Sequence, residues 1–323
     1  MADQELSLIN KVELRIALAD SDQKFQSALD LYLCPLLLKL SSIHGAVRQE
    51  ILKFIQHLIP RINSYREIKL PTLKLIQQAK NQTSNTDAST VQLYSLLFAS
   101  KGIDRLNVEE KRELLPEVIH GIHNFGDNGV AARLFHIFCK LLQGWRTPDR
   151  GTDDFKQLRQ DLAIDTNDEK FLVDKIEKLF LLAPVINDDG VIPKGYTCPG
   201  LSSKDTAFLT YDAGVSYKNE DLSNAKKNIV SFIPLFHDEN LVTLLLIGVC
   251  DSNDSVSNAS ASLYRKITIP YEDNELIDHL ISLFIGDKEI PRSPVKSPIQ
   301  ERFLSVMTVS YTHLRAHETR RHL

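Results

Sequence analysis

Three segments of this chain share one pattern: a leucine-rich stretch, a short polar break, and a second apolar stretch that opens with valine. They run from Cys34 to Leu58, from Leu114 to Leu142 and from Leu241 to Ile267. In the first, Val47, Ile51, Phe54, Ile55, Leu58, Ile59 and Ile62 recur at helical spacing and share one broad face. Burying that face returns less free energy than ordering the helix backbone costs, so such a helix is unstable alone. It must lie against its hairpin partner and then against the next pair, with a polar outer face on the terminal unit. The pattern predicts an all-α helical-repeat solenoid, a fold that works through the surface it presents.

The periodicity predicts helices near 5–19, 23–41, 46–63, 70–80, 88–100, 108–123, 129–143, 154–162 and 167–182, then near 222–234, 240–250, 255–268 and 272–285. Asn107 with Glu110, and Thr166 with Glu169, have the spacing of a capping box. No alternating strand pattern competes. Residues 183–221 form one long irregular loop, rich in glycine and proline, in which Tyr196, Phe208, Tyr211 and Tyr217 predict partial order. The expected organisation is an N-terminal array over 1–182, the loop over 183–221, continuing repeats over 222–307, and a tail over 308–323. That tail carries three histidines and three arginines without an apolar face and reads like a translated sequencing adapter, which predicts a non-native end on a truncated front piece.

Composition narrows the function. A formal charge of −4 offers no basic field for nucleic acid. The longest apolar run, Leu241 to Cys250, is too short to cross a bilayer, so membrane insertion is not expected. Cys34, Cys139, Cys198 and Cys250 are scattered, and three sit in apolar runs as reduced core thiols would. With no signal-type leader, a cytoplasmic and nuclear location is expected. Phosphate-binding loops, nucleophile elbows and dinucleotide fingerprints are absent from the sequence, and no cofactor is expected.

One pattern has the ligand count of a zinc site: His120 and His123, then His136 and Cys139. The first two close one predicted helix while the others sit among Leu134, Phe135, Ile137 and Phe138 on a core face, so the set is read as no metal site. Asp153-Asp154 and Asp188-Asp189 read as helix-start and turn residues rather than an acid and base. Trp145, after Gly144, reads as a hydrophobic plug at a helix end. Ser293-Pro294-Val295-Lys296-Ser297-Pro298 offers two proline-directed phosphorylation candidates, Ser293 and Ser297, where phosphate would add about −1.5 to −2 charges. The same stretch also reads as a proline-stiffened connector.

The paired segments resemble HEAT repeats, whose second helix opens with Val-Arg. Val47-Arg48 fits directly, Asp254-x-Val256 has Ser257 in the arginine position, and Gly129-Val130 has Ala131 there with Arg133 displaced. More specifically, the order of Lys11 to Asp20, Leu33 to Leu40 with Ala46-Val47-Arg48, Pro199-Gly200-Leu201-Ser202 and Phe284-Ile285-Gly286-Asp287 resembles the amino-terminal part of the large HEAT-repeat adaptor and scaffold family of the 26S proteasome. That resemblance implies a HEAT/armadillo-type fold and a non-enzymatic role: binding assembled 26S proteasomes, stabilising them, and linking them to other proteins. It brings no catalytic residues and no contact residues to this sequence. The alternatives are a different HEAT scaffold, such as a nuclear transport receptor or a phosphatase scaffold, and a zinc enzyme built on the four-residue set.

Overall fold

The computed structural model describes residues 2–82, 88–183, 195–210, 219–288 and 290–321. Among the described residues the chain is all-α, with fifteen α-helices, four 3-10 turns and no strand. The chain divides into two compact units, Met1–His120 and Gly121–Leu323.

The first unit holds α1 (Ala2–Ala17), α2 (Asp22–Leu38), α3 (Gly45–Ser64), α4 (Thr72–Asn81), α5 (Ala88–Ile103) and α6 (Val108–Ile119). Here α1 packs on α2 and α3, and α4 packs on α5 and α6. The stripe from Val47 to Ile62 on α3 is buried as its spacing predicts, apart from the half-buried Ile59. Asn107 forms the expected capping box: its side chain accepts from Glu110 N while Glu110 accepts from Asn107 N. The polar outer face expected of a terminal helix is incomplete, since α1 exposes Leu8 and Leu14, and Leu18 just beyond it is exposed as well.

The second unit holds α7 (Gly129–Leu141), α8 (Asp153–Leu162), α9 (Thr166–Leu181), α10 (Ser203–Thr210), α11 (Asn219–Phe232), α12 (Leu241–Val249), α13 (Asp254–Tyr264), α14 (Asn274–Ile285) and α15 (Pro298–Arg321). Here α12 packs on α13 and α9, α11 on α13 and α7, and α14 on α15. An aromatic core joins Phe135, Phe138, Phe232 and Phe236. Trp145 plugs one side of it, with its ring centroid 5.5 Å from Phe232 and its Nε1 donating to Thr147 Oγ1.

Three boundaries differ from the sequence reading. The helix expected over 108–123 stops at Ile119, because Gly121 takes a left-handed φ of 71° and starts a 3-10 turn over Ile122–Phe125. The cap of α9 is Asp165, accepting from Asn167 N and Asp168 N, so Thr166 is already helical and Glu169 is free to turn inward. The segment 183–221 contains α10, capped by Ser202, whose Oγ accepts from Asp205 N. Residues 184–194 and 211–218 of that segment, with Tyr211 and Tyr217, lie outside the described residues, as do the side chains of His313 and His317.

One device recurs. A helix end leaves carbonyls without intrahelical partners, and the helix dipole makes them attractive to a cation. Arg61 of α3 donates to Ile16 O and Ala19 O at the end of α1, at 2.7 and 2.6 Å. Arg105 donates to Ile62 O at the end of α3 and to Ile68 O. Lys80 of α4 donates to Glu117 O and His120 O at the end of α6. In the second unit Lys226 of α11 donates to Phe180 O and Leu182 O at the end of α9. These bonds span 37 to 46 residues, about one repeat length.

Lys226 also pairs with Asp251 at 2.7 Å, and both side chains are more than nine-tenths buried. Lys226→Met therefore leaves a buried carboxylate and two carbonyls without their cation, and is expected to lower the unfolding free energy by about 3–5 kcal/mol in urea titrations. Lys226→Met combined with Asp251→Leu is expected to recover much of that loss, because no uncompensated charge remains.

Candidate functional site

The four zinc-like residues take up separate structural tasks. His120 ends α6 in the first unit, exposed, with its carbonyl bound by Lys80. His123, in the second unit, turns its Nδ1 to Asp168 Oδ1 at 2.7 Å. His136 and Cys139 stand one turn apart on α7, where burial holds the imidazole down to about 4 and pushes the thiol up to about 12.

Among the described residues, potential metal-binding atoms converge elsewhere, at His123, Asp165 and Asp168. Their hydrogen bonds show a clamp. Asp168 is fully buried; its Oδ2 accepts from Gly121 N at 2.7 Å and its Oδ1 accepts from His123 N and faces His123 Nδ1. Asp165 Oδ1 is committed to the first turn of α9. The arrangement fixes the turn after Gly121 onto the start of α9.

This clamp is one of several that meet on α9. Glu169, also buried, accepts from His237 N at 2.7 Å and from Asn240 Nδ2 at 2.6 Å, and its other oxygen faces His237 Nδ1 at 2.6 Å. Glu177 faces His279 Nε2 of α14 at 2.9 Å. On the same helix, buried Lys175 pairs with Asp127 and Asp174 and lies 4.8 Å from the Phe208 ring centroid. Lys178 pairs with Asp205 of α10. Burial opposes ionisation of Asp127, but hydrogen bonds from Lys175 and Lys204 outweigh it and hold the carboxyl down to about 2. Thus α9 fastens α10, α14, the turn after α6 and the approach to α12.

One opening in this unit is a groove of about 700 Å³ between the 146–150 loop and α11–α13. Val230, Ile233, Leu241 and Leu245 form its buried floor. Its loop wall is pinned: Thr147 Oγ1 donates to Ser231 O, and Arg150 donates to Pro234 O and Phe236 O and pairs with Asp238 at 2.5 Å. No nucleophile–base pair lines this groove.

A family profile described as "Proteasome component ECM29, N-terminal" matches residues 9–320. The chain belongs to this family. It is 39% identical to "Proteasome component ECM29" of Saccharomyces cerevisiae over 323 aligned residues, covering 95% of this chain and 17% of that protein. It is 26% identical to the "Proteasome-associated protein ECM29 homolog" of Drosophila melanogaster over 88% of this chain and 14% of that protein. It is 32% identical to the human "Proteasome adapter and scaffold protein ECM29" over 36% of this chain and 6% of that protein. The chain thus spans a small fraction of the length of these relatives. No solved structure matches it.

Within this ECM29-type chain, the short motifs that carried the family resemblance do packing work. Arg15 of the first motif donates to Tyr32 Oη on α2 at 2.6 Å, and Ile16 beside it is buried. Gly200, at φ 86°, lies against the Ser293-Pro294 step, where an added Cβ would sit 3.2 Å from Pro294 Cδ. Ser293 is accordingly 4% exposed, with its N–H bonded to Leu283 O. Ser297 is half-buried and caps α15, its Oγ accepting from Gln300 N. The two serines of one motif therefore stand in different environments, a distinction their identical Ser-Pro signature does not carry.

Two measurements probe these sites. Dialysis against a chelator is expected to leave the helical circular dichroism signal and the thermal midpoint unchanged. For His279, the hydrogen bond to Glu177 outweighs burial and raises its pKa, so its contribution to stability is complete below the ordinary histidine value of about 6.5 and fades as pH rises through the raised one. The loss of stability in His279→Gln, relative to the unsubstituted chain, should be larger at about pH 6 than at about pH 8.5.

Proposed function

We propose that this chain is a scaffold segment that binds the 26S proteasome, helps to stabilise it, and joins it to other proteins in the cytoplasm and nucleus. The observation that carries the reading is the family match across residues 9–320, since relatives in that family are named as a proteasome component and as a proteasome adapter and scaffold. The fold supports it: stacked helices present side chains outward, and the conspicuous titratable groups on α9 are engaged in holding helices together. Non-enzymatic action fits that use of the buried acids and histidines. The membership also favours the proteasome over a transport receptor or a phosphatase scaffold as the context. No helix among the described residues is long and apolar enough to cross a membrane, and a formal charge of −4 gives no basic surface excess for nucleic acid. The burial of Ser293 supports Ser297 as the serine open to proline-directed modification in this segment.

The test is retention. The tagged chain, immobilised and exposed to purified 26S proteasomes, is expected to hold peptidase-active particles above the level of a helical-repeat control. Failure to do so, where the full-length yeast relative succeeds in the same buffer, would overturn the reading for this segment.

A further inference from the structure

The groove beside the 146–150 loop has an unusual charge balance. Arg150 is spent on the wall itself, its guanidinium held by Asp238 and by the carbonyls of Pro234 and Phe236. Two other cations that line the opening, Arg146 on the loop and Lys266 just beyond α13, are exposed, and neither side chain bonds to any described residue. The one carboxylate in the lining is Asp149. The cations thus outnumber the anions of the lining, whose partly exposed apolar residues are Pro148, Pro234, Leu263 and Ile267.

We infer that this groove is a docking site for a short acidic segment of a partner protein, one that seats a large apolar residue against Leu263 and Ile267 and sets carboxylates against Arg146 and Lys266. Three properties carry the assignment. Its volume of about 700 Å³ falls within the range of pockets that enclose a ligand. Its wall is fixed by Thr147 and Arg150 before anything binds, so little ordering cost falls on association. Its unmatched cations select the sign of the partner and speed its approach. The inference goes beyond proteasome association and does not depend on it.

The experiment is selection of short random peptides displayed on phage, panned on the intact chain. Enriched sequences should share a large apolar residue flanked by Asp or Glu. Synthetic copies should lose affinity at least about ten-fold against the Arg146→Glu, Lys266→Glu double variant, and should weaken as salt rises. Because neither side chain bonds to a described residue, that variant should keep the thermal midpoint of the unsubstituted chain. Ser262→Trp, which enlarges an exposed residue lining the groove, should block binding without altering either charge. Absence of enriched peptides, enrichment of basic or uncharged ones, or affinity for either variant equal to that for the unsubstituted chain would overturn the assignment. So would self-association of the chain that the double variant abolishes, since a second copy would then be the occupant. The assay contains no proteasome, so its failure and a failure of proteasome retention are read separately.

Discussion

A helix that ends inside a stack of helices has carbonyls that water cannot reach, and the fold described here answers that constraint with cations sent from a neighbouring element. Arg61, Arg105, Lys80 and Lys226 each close the end of a helix about one repeat away in sequence. The bond is charge-assisted, so it is stronger than a neutral one, and it ties two helices together at the position where apolar packing runs out. Arg61 also lies 4.3 Å from the Phe25 ring centroid, so its charge sits against the core without being solvated from that side. Hydrophobic stripes bring the helices together; these cations fix how far each helix runs before the chain turns.

The same logic governs the ionisable residues that look most like chemistry. On α9, Asp168, Glu169 and Glu177 each face a histidine from a different element, and Lys175 and Lys178 reach carboxylates on two more. Carboxylate–histidine contacts of this kind occur in hydrolases, yet here they are distributed along one helix at its contacts with different elements. The acids are buried and each takes part in at least one hydrogen bond that ties α9 to another element. The groove beside the 146–150 loop is where apolar floor and unsatisfied charge coincide.

Much of the fold could be read from the chain. Helices α2 and α3, α6 and α7, and α12 and α13 were marked by periodicity and by the polar breaks between them. The two helices that periodicity passed over, α10 and α15, carried start signals all the same: Ser202 three residues before Asp205, and Ser297 followed by Pro298 at the first helical position. The misplaced end of α6 had its cause at Gly121, a residue that periodicity does not weigh. The site was less legible. Lys266 lies more than a hundred residues from Arg146 and Asp149, the three belong to no motif, and nothing in their spacing shows that they share one opening.

The sequence by itself determined that this chain is helical and repetitive, because apolar residues at helical spacing have one low-energy way to leave water, and it determined the family, because short motifs in fixed order survive as packing contacts. It could not determine which of its charged residues are used up internally. Arg150 and Arg146 are the same residue type four positions apart, one bound to two carbonyls and a carboxylate and the other without a partner among the described residues. Only the tertiary structure decided between them, since whether a charge is satisfied depends on which distant helix ends are brought within hydrogen-bonding distance.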